Sequence, residues 1–201
     1  MLAPRKQLWS TPAEVVDKAI DLLGEMGIED VVFDVGAGDG RFLIRCAERT
    51  DASLVGVEIN EERGEEAKAA IAAKGFSDSK CKLIIGNALE QDFSSATCFF
   101  LYLVPRGLKI ILPILKGLKK KLRVVTYMSP FPSAEIKYAQ VVKVSTAAHP
   151  EAAWPLYVYE IDPDAPENII TASSDPAEPA RDFDMAEKTC EVSEVIPCSI
   201  M

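Results

Sequence analysis

Histidine is nearly missing from this chain: His149 is the single one in 201 residues. No cysteine or second histidine accompanies it, so it reads as a loop residue rather than a metal ligand or a base. The five cysteines are odd in number and contain no C-x-x-C pair, which excludes the usual zinc and disulfide frameworks. Cys46, Cys81 and Cys98 lie in apolar contexts and read as core thiols in a reducing compartment. Long hydrophobic runs are also lacking. Nothing approaches a membrane span, and "MLAPRKQLWSTP" has no signal-peptide stretch. Bases are outnumbered, 22 Lys and Arg against 31 Asp and Glu. The deficit is local. From Asp162 onward there are 10 acids and 2 bases, which leaves 21 and 20 in the first 161 residues. Neither the near-neutral body nor the acidic tail suits nucleic acid. One basic run, "KGLKKKLR" (Lys116 to Arg123), reads as a solvated helix end.

What is present is a rhythm of strand and helix. Thr11-Pro12-Ala13-Glu14 reads as a helix start with a capping box, and Gly27 as its stop. "DVVFDV", "SLVGVEI", "KCKLIIG", "TCFFLYLV" and "RVVTYM" read as buried strands, with helices in the segments between most of them. The fourth of these strands leads into "PRGLKIILPILKGLKKKL", a helix expected to kink at Pro113. Such alternation implies parallel strands with helices on both faces. "IKYAQVVKVST" and "WPLYVYEI" have no helix between them and read as a terminal hairpin. The expectation is an α/β, Rossmann-like, seven-stranded mixed sheet over residues 1–161. Residues 162–201 lose periodicity and read as a disordered acidic tail, or one packed on the body through Ile169, Ile170 or Phe183.

The first strand runs into "DVGAGDGRF", where Gly36, Gly38 and Gly40 recur every second residue. Such a turn holds a dinucleotide, another nucleoside cofactor, or nothing. A dinucleotide fingerprint needs Gly or Ala at Arg41; here the third glycine comes one residue early. Asp34, two residues before the loop, suits a cation such as an α-ammonium better than a pyrophosphate, and Asp39 adds a further acid. Ala37 completes the loop. Glu58, 22 residues after Gly36, ends the second strand and is placed to accept from both ribose hydroxyls, as in NAD sites too. In "GNALEQDF", Asn87 and the backbone at Ala88 are candidates for reading an adenine edge.

Together these residues resemble the class I S-adenosylmethionine-dependent methyltransferases from about Trp9 to Asp162. The resemblance implies S-adenosyl-L-methionine as cofactor. Asn87 stands where that family often has Asp. After the fourth strand, "FFLYLVPRG" lacks the Asn/Asp-Pro-Pro-Tyr/Phe of nucleobase amine methylation. The layout is similar to the small protein-lysine methyltransferases that act on the mitochondrial ATP synthase c-subunit and the adenine nucleotide translocase. That likeness rests on "STPAEVVDKAIDLL", "DVGAGDGR", the "VP" step at Pro105, and "VVTYMSPFP…WPLYVYEI"; the N-terminal membrane segment of those enzymes is lacking. It implies a protein substrate with a lysine acceptor. Methyl transfer to an amine is an in-line displacement that asks chiefly for positioning. Tyr102 either orients the amine or packs in the core; Trp9 and Pro12 are candidates to close over the cofactor, and Trp154 reads as core. The alternatives are a small-molecule methyltransferase, an NAD(P)-dependent oxidoreductase, and an idle membrane-anchored binding module.

The last four residues, Cys198-Ser199-Ile200-Met201, form a C-a-a-X box with the terminal Met that favours farnesylation. One prenyl chain anchors only marginally, so a second signal such as Cys190 palmitoylation or the basic run is expected. The expected location is cytoplasmic, with peripheral membrane attachment through prenylated Cys198.

Overall fold

A computed structural model describes residues 10–164. Trp9, Cys190, Cys198 and the tail from residue 165 lie outside the described residues. The chain begins with helix α1 (Ala13–Leu23) and strand β1 (Val31–Val35), followed by α2 (Arg41–Arg49) and β2 (Ser53–Glu58). Then come α3 (Glu61–Ala73), β3 (Cys81–Ile85), β4 (Cys98–Leu101), α4 (Pro105–Gly117) and β5 (Leu122–Tyr127). Strands β6 (Gln140–Thr146) and β7 (His149–Ile161) finish the sheet. Its order is β3-β2-β1-β4-β5-β7-β6. The first five strands are parallel, and β7 inserts antiparallel between β5 and β6. This is the seven-stranded mixed sheet expected from the sequence.

The strands read as continuous apolar runs because both faces are covered. On one face α1 and α2 pack over Val32, Leu54, Cys98, Phe100 and Val125. Phe42 of α2 stacks on Phe100, with ring centroids 4.2 Å apart. On the other face α4 covers Phe33, Phe99, Leu101 and Val124. Cys46, Cys81 and Cys98 are buried free thiols, and burial pushes the Cys46 thiol up to about 11.

Local boundaries depart from the sequence reading where long-range contacts intervene. The capping box does not form: Pro12 occupies the N-cap, no side chain caps the helix, and the Glu14 carboxylate instead accepts the Ala147 N–H at 3.0 Å. Helix α1 stops at Gly24, not Gly27, with Gly24 at φ 78°. There Arg123 Nη1 donates to the carbonyls of Leu23 (2.7 Å) and Glu25 (2.8 Å), satisfying groups that a helix end leaves open. Helix α4 includes Pro113 and ends at Gly117, and Lys119 then takes φ 50°. His149 opens β7 rather than lying in a loop. The basic run is exposed at Lys116, Lys119 and Lys121, as a solvated helix end requires, and makes surface contacts as well. Lys116 pairs with Glu135, Lys121 with Asp162 and Arg123 with Asp30, while Lys120 donates to the Ser94 carbonyl. Among the described residues no helix is long and apolar enough to cross a membrane.

Candidate active site

β1 lies between β2 and β4, and the helices that follow β1 and β4 go to opposite faces of the sheet. Such a switch point leaves a crevice at the carboxyl ends of the strands. Asp34, the glycine loop, Glu58, Asn87, Ala88, Tyr102 and Pro105 all lie at or just beyond the carboxyl ends of β1, β2, β3 and β4.

The glycine loop joins the end of β1 to α2. Gly36, Gly38 and Gly40 have φ of 85°, 57° and 77°, a region that L side chains rarely enter. A Cβ on Gly36 would lie 3.3 Å from Leu103 Cδ2, and one on Gly40 would lie 3.2 Å from the Ala67 Cβ. The loop is therefore pressed between α3 and the segment after β4. Its amides are engaged by β2. Gly36 and Ala37 both donate to the Val57 carbonyl (2.8 and 3.1 Å), and Gly38 donates to Glu58 Oε2 at 2.8 Å. A pyrophosphate nest needs such N–H groups free, and here three consecutive ones are not.

Asp34 is 3% exposed, and no described residue hydrogen-bonds its carboxylate. Burial, then repulsion from Glu58 and from Asp39, holds its pKa well above the usual carboxylate range. A buried carboxyl group without a partner is suited to a cationic ligand group. Asp39 is not a second free acid. Arg41 Nε donates to both its oxygens (3.0 and 3.1 Å) and Nη2 to Oδ2 at 2.6 Å. Burial raises the Asp39 pKa, but the Arg41 hydrogen bond and charge outweigh it and leave it lowered. Arg41 Nη1 also donates to the Thr11 carbonyl at 2.9 Å. Arg41, the residue that spoils the dinucleotide fingerprint, thus straps the segment before α1 to the loop and brings Pro12 beside it.

Glu58 is 5% exposed and held by two backbone donors, Gly38 N–H on Oε2 and Asn60 N–H on Oε1 (2.9 Å). Each oxygen retains acceptor capacity. The Gly86 N–H donates to the Glu58 carbonyl at 2.7 Å, which places Asn87 and Ala88 next to Glu58. Asn87 caps the short 3-10 turn Ala88–Glu90: its Oδ1 accepts from Leu89 N–H at 3.1 Å and its Nδ2 donates to Glu90 Oε1 at 2.9 Å. Beyond β4, Tyr102 is half-buried against Tyr127, Val104 is exposed, and Pro105 starts α4. No metal-binding cluster occurs among the described residues. The Arg41 strap and Tyr127 were not singled out from the sequence; Arg41 in a small-residue position was the signal for the first.

The model of the ANTKMT methyltransferase domain family matches residues 34–137, just over half the chain. A protein-lysine N-methyltransferase of Saccharolobus islandicus (strain REY15A) is 36% identical over 119 residues, 58% of this chain and 73% of that protein. Among solved structures, an RNA methyltransferase from Salinibacter ruber in complex with S-adenosyl-L-homocysteine superposes with a TM-score of 0.69 at 28% identity. It covers 80% of this chain and 98% of its own. The C-terminal domain of precorrin-6Y C5,15-methyltransferase from Rhodobacter capsulatus shares the fold, with a TM-score of 0.60 at 16% identity over 79% and 92% of the two chains. The chain therefore belongs to the ANTKMT methyltransferase domain family and is an S-adenosylmethionine-dependent methyltransferase.

Proposed function

We propose that this methyltransferase acts on lysine side chains of a protein substrate. The observation that carries the reading is the 36% identical relative, a protein-lysine N-methyltransferase, over 73% of that protein's length. When bound, S-adenosylmethionine supplies an electrophilic methyl group; the chain's residues hold the donor and aim the acceptor. In this reading Asp34 takes the α-ammonium, and Gly36, Ala37, Gly38 and Gly40 let the backbone approach. Glu58 accepts from the ribose hydroxyls. Asn87 Oδ1, with a lone pair beyond its cap bond, and the backbone at Ala88 receive the adenine. Tyr102 orients the amine, while Pro105 and Pro12 border the acceptor. The buried Asp34, without a partner among the described residues, and the engaged loop amides support a cationic, phosphate-free ligand.

The test is transfer of labelled methyl groups into a cell lysate. Label recovered as methyl-lysine after acid hydrolysis is the expected result. A second reading, RNA methylation, draws on the Salinibacter relative's 28% identity. Label removed by ribonuclease and not by protease would establish it and overturn the lysine reading; label in the small-molecule fraction would overturn both. Residues 1–161 are proposed as the catalytic domain and 162–201 as its tail. Cytosolic-face membrane attachment through Cys198 rests on the terminal tetrapeptide alone. Cys198→Ser is expected to shift the protein from membrane to cytosol on fractionation, and an unchanged distribution would defeat the idea.

A further inference from the structure

Two tyrosines stand at the ends of neighbouring strands: Tyr127 is the last residue of β5, and Tyr102 directly follows β4. Asp34 stands in register with Phe100, and Phe100 with Val125. Side chains two residues on return to the same face, so Tyr102 and Tyr127 lie one step beyond Asp34 toward the crevice mouth. That step is about 7 Å along the strand, and each strand crossed adds about 5 Å. The two ring centroids are 4.6 Å apart, with planes at 56°.

Tyr127 is not an ordinary core tyrosine. It is 2% exposed, yet no described residue hydrogen-bonds its hydroxyl. Buried tyrosine hydroxyls normally have a partner. Tyr159, 1% exposed, shows the ordinary case, with its hydroxyl accepting the Phe131 N–H at 2.9 Å. The Tyr127 oxygen is also not fully enclosed: among the described residues the one sealed, unpartnered side-chain polar atom is Trp154 Nε1. Burial, then the neighbouring Tyr102, pushes the Tyr127 phenol far above its usual range. It therefore stays neutral at physiological pH and keeps acceptor lone pairs.

We infer that Tyr127 binds and positions the acceptor amine, its hydroxyl oxygen accepting an N–H of the neutral lysine amine with Tyr102 beside it. The inference rests on the lysine reading above. Fixing one N–H fixes the direction of the nitrogen lone pair, which is what an in-line displacement requires. The lone pair forms the new C–N bond as the methyl C–S bond breaks, its electron pair staying on sulfur. The product ammonium then releases a proton to water.

Tyr127→Phe removes the hydroxyl and keeps the ring. In the full chain, with lysate proteins as the acceptor pool, the initial rate of methyl-lysine formation is expected to fall about tenfold. The S-adenosylhomocysteine Kd by calorimetry and the thermal midpoint are expected to stay at the wild-type values. A rate equal to wild type overturns the inference alone. A loss matched by weaker cofactor binding or a lower midpoint also overturns it, because the role is then structural. Absence of methyl-lysine with the wild-type chain overturns the lysine reading and this inference with it.

Discussion

The Gly38 amide donates to the Glu58 carboxylate at 2.8 Å, across twenty residues of sequence. This bond joins the glycine loop to the neighbouring strand end and fixes the carboxylate's direction, with Asn60 holding the other oxygen. Glu58→Gln puts an NH2 group against one of these donors. Hydrogen bonds to a charged group are worth about 1.5–3 kcal/mol, so the S-adenosylhomocysteine Kd is expected to rise roughly 10- to 100-fold. Calorimetry showing an unchanged Kd would remove Glu58 from the cofactor site.

Asp34 gives the site a pH signature. Its folded pKa is raised by burial and by Glu58 and Asp39, so the folded, cofactor-free chain binds more protons than the unfolded one between the two pKa values. Stability is then lost as pH rises through the folded pKa. Asp34→Asn is expected to melt higher than wild type on the alkaline side of that pKa and to bind S-adenosylhomocysteine at least tenfold more weakly. Cofactor affinity of the wild type is expected to rise with pH until Asp34 ionises, and that dependence should vanish in the variant. Parallel melting curves across pH would contradict the assignment.

Gly56 sits mid-strand under α2. A Cβ there would lie 2.4 Å from Leu43 Cδ1, 2.6 Å from Leu83 Cδ1 and 3.0 Å from the Ala37 Cβ. Leu43 and Leu83 are themselves buried and have little room to yield. Gly56→Ala is expected to cost about 1–3 kcal/mol by overpacking, read as a lower midpoint in thermal or urea unfolding. A variant as stable as wild type would show that α2 can lift from the sheet.

Trp154 buries an indole N–H with no partner among the described residues. An unsatisfied buried donor costs about 1–3 kcal/mol. Trp154→Phe removes that donor and keeps an aromatic ring, so the variant is expected to be at least as stable as wild type. A clearly lower melting point would mean that packing by the larger indole outweighs the orphaned donor.

Much of the candidate site's local structure is legible in the sequence because its parts are contiguous. Strand, glycine turn and helix follow one another within Val31–Arg49, and Glu58 marks the end of the next strand. The departures share a different cause. Gly24 ends α1 where Arg123 reaches its last carbonyls, a hundred residues away in sequence. Glu14 leaves the capping box for Ala147, 133 residues away. No window of neighbouring residues contains those partners.

The strand and helix alternation, the positive-φ loop and the acids at the two strand ends follow from the order of residues in the chain, since periodicity and glycine placement are properties of short segments. Which acid lacks a partner is settled by folding. Arg41 neutralises Asp39, while Asp34, on a buried strand flanked by β2 and β4, meets no cation among the described residues. Tyr127 likewise looks like any residue of a buried strand until the sheet register sets it beside Tyr102. Partnership of buried polar groups depends on what folding brings within about 3 Å, and no spacing rule in the chain encodes that distance.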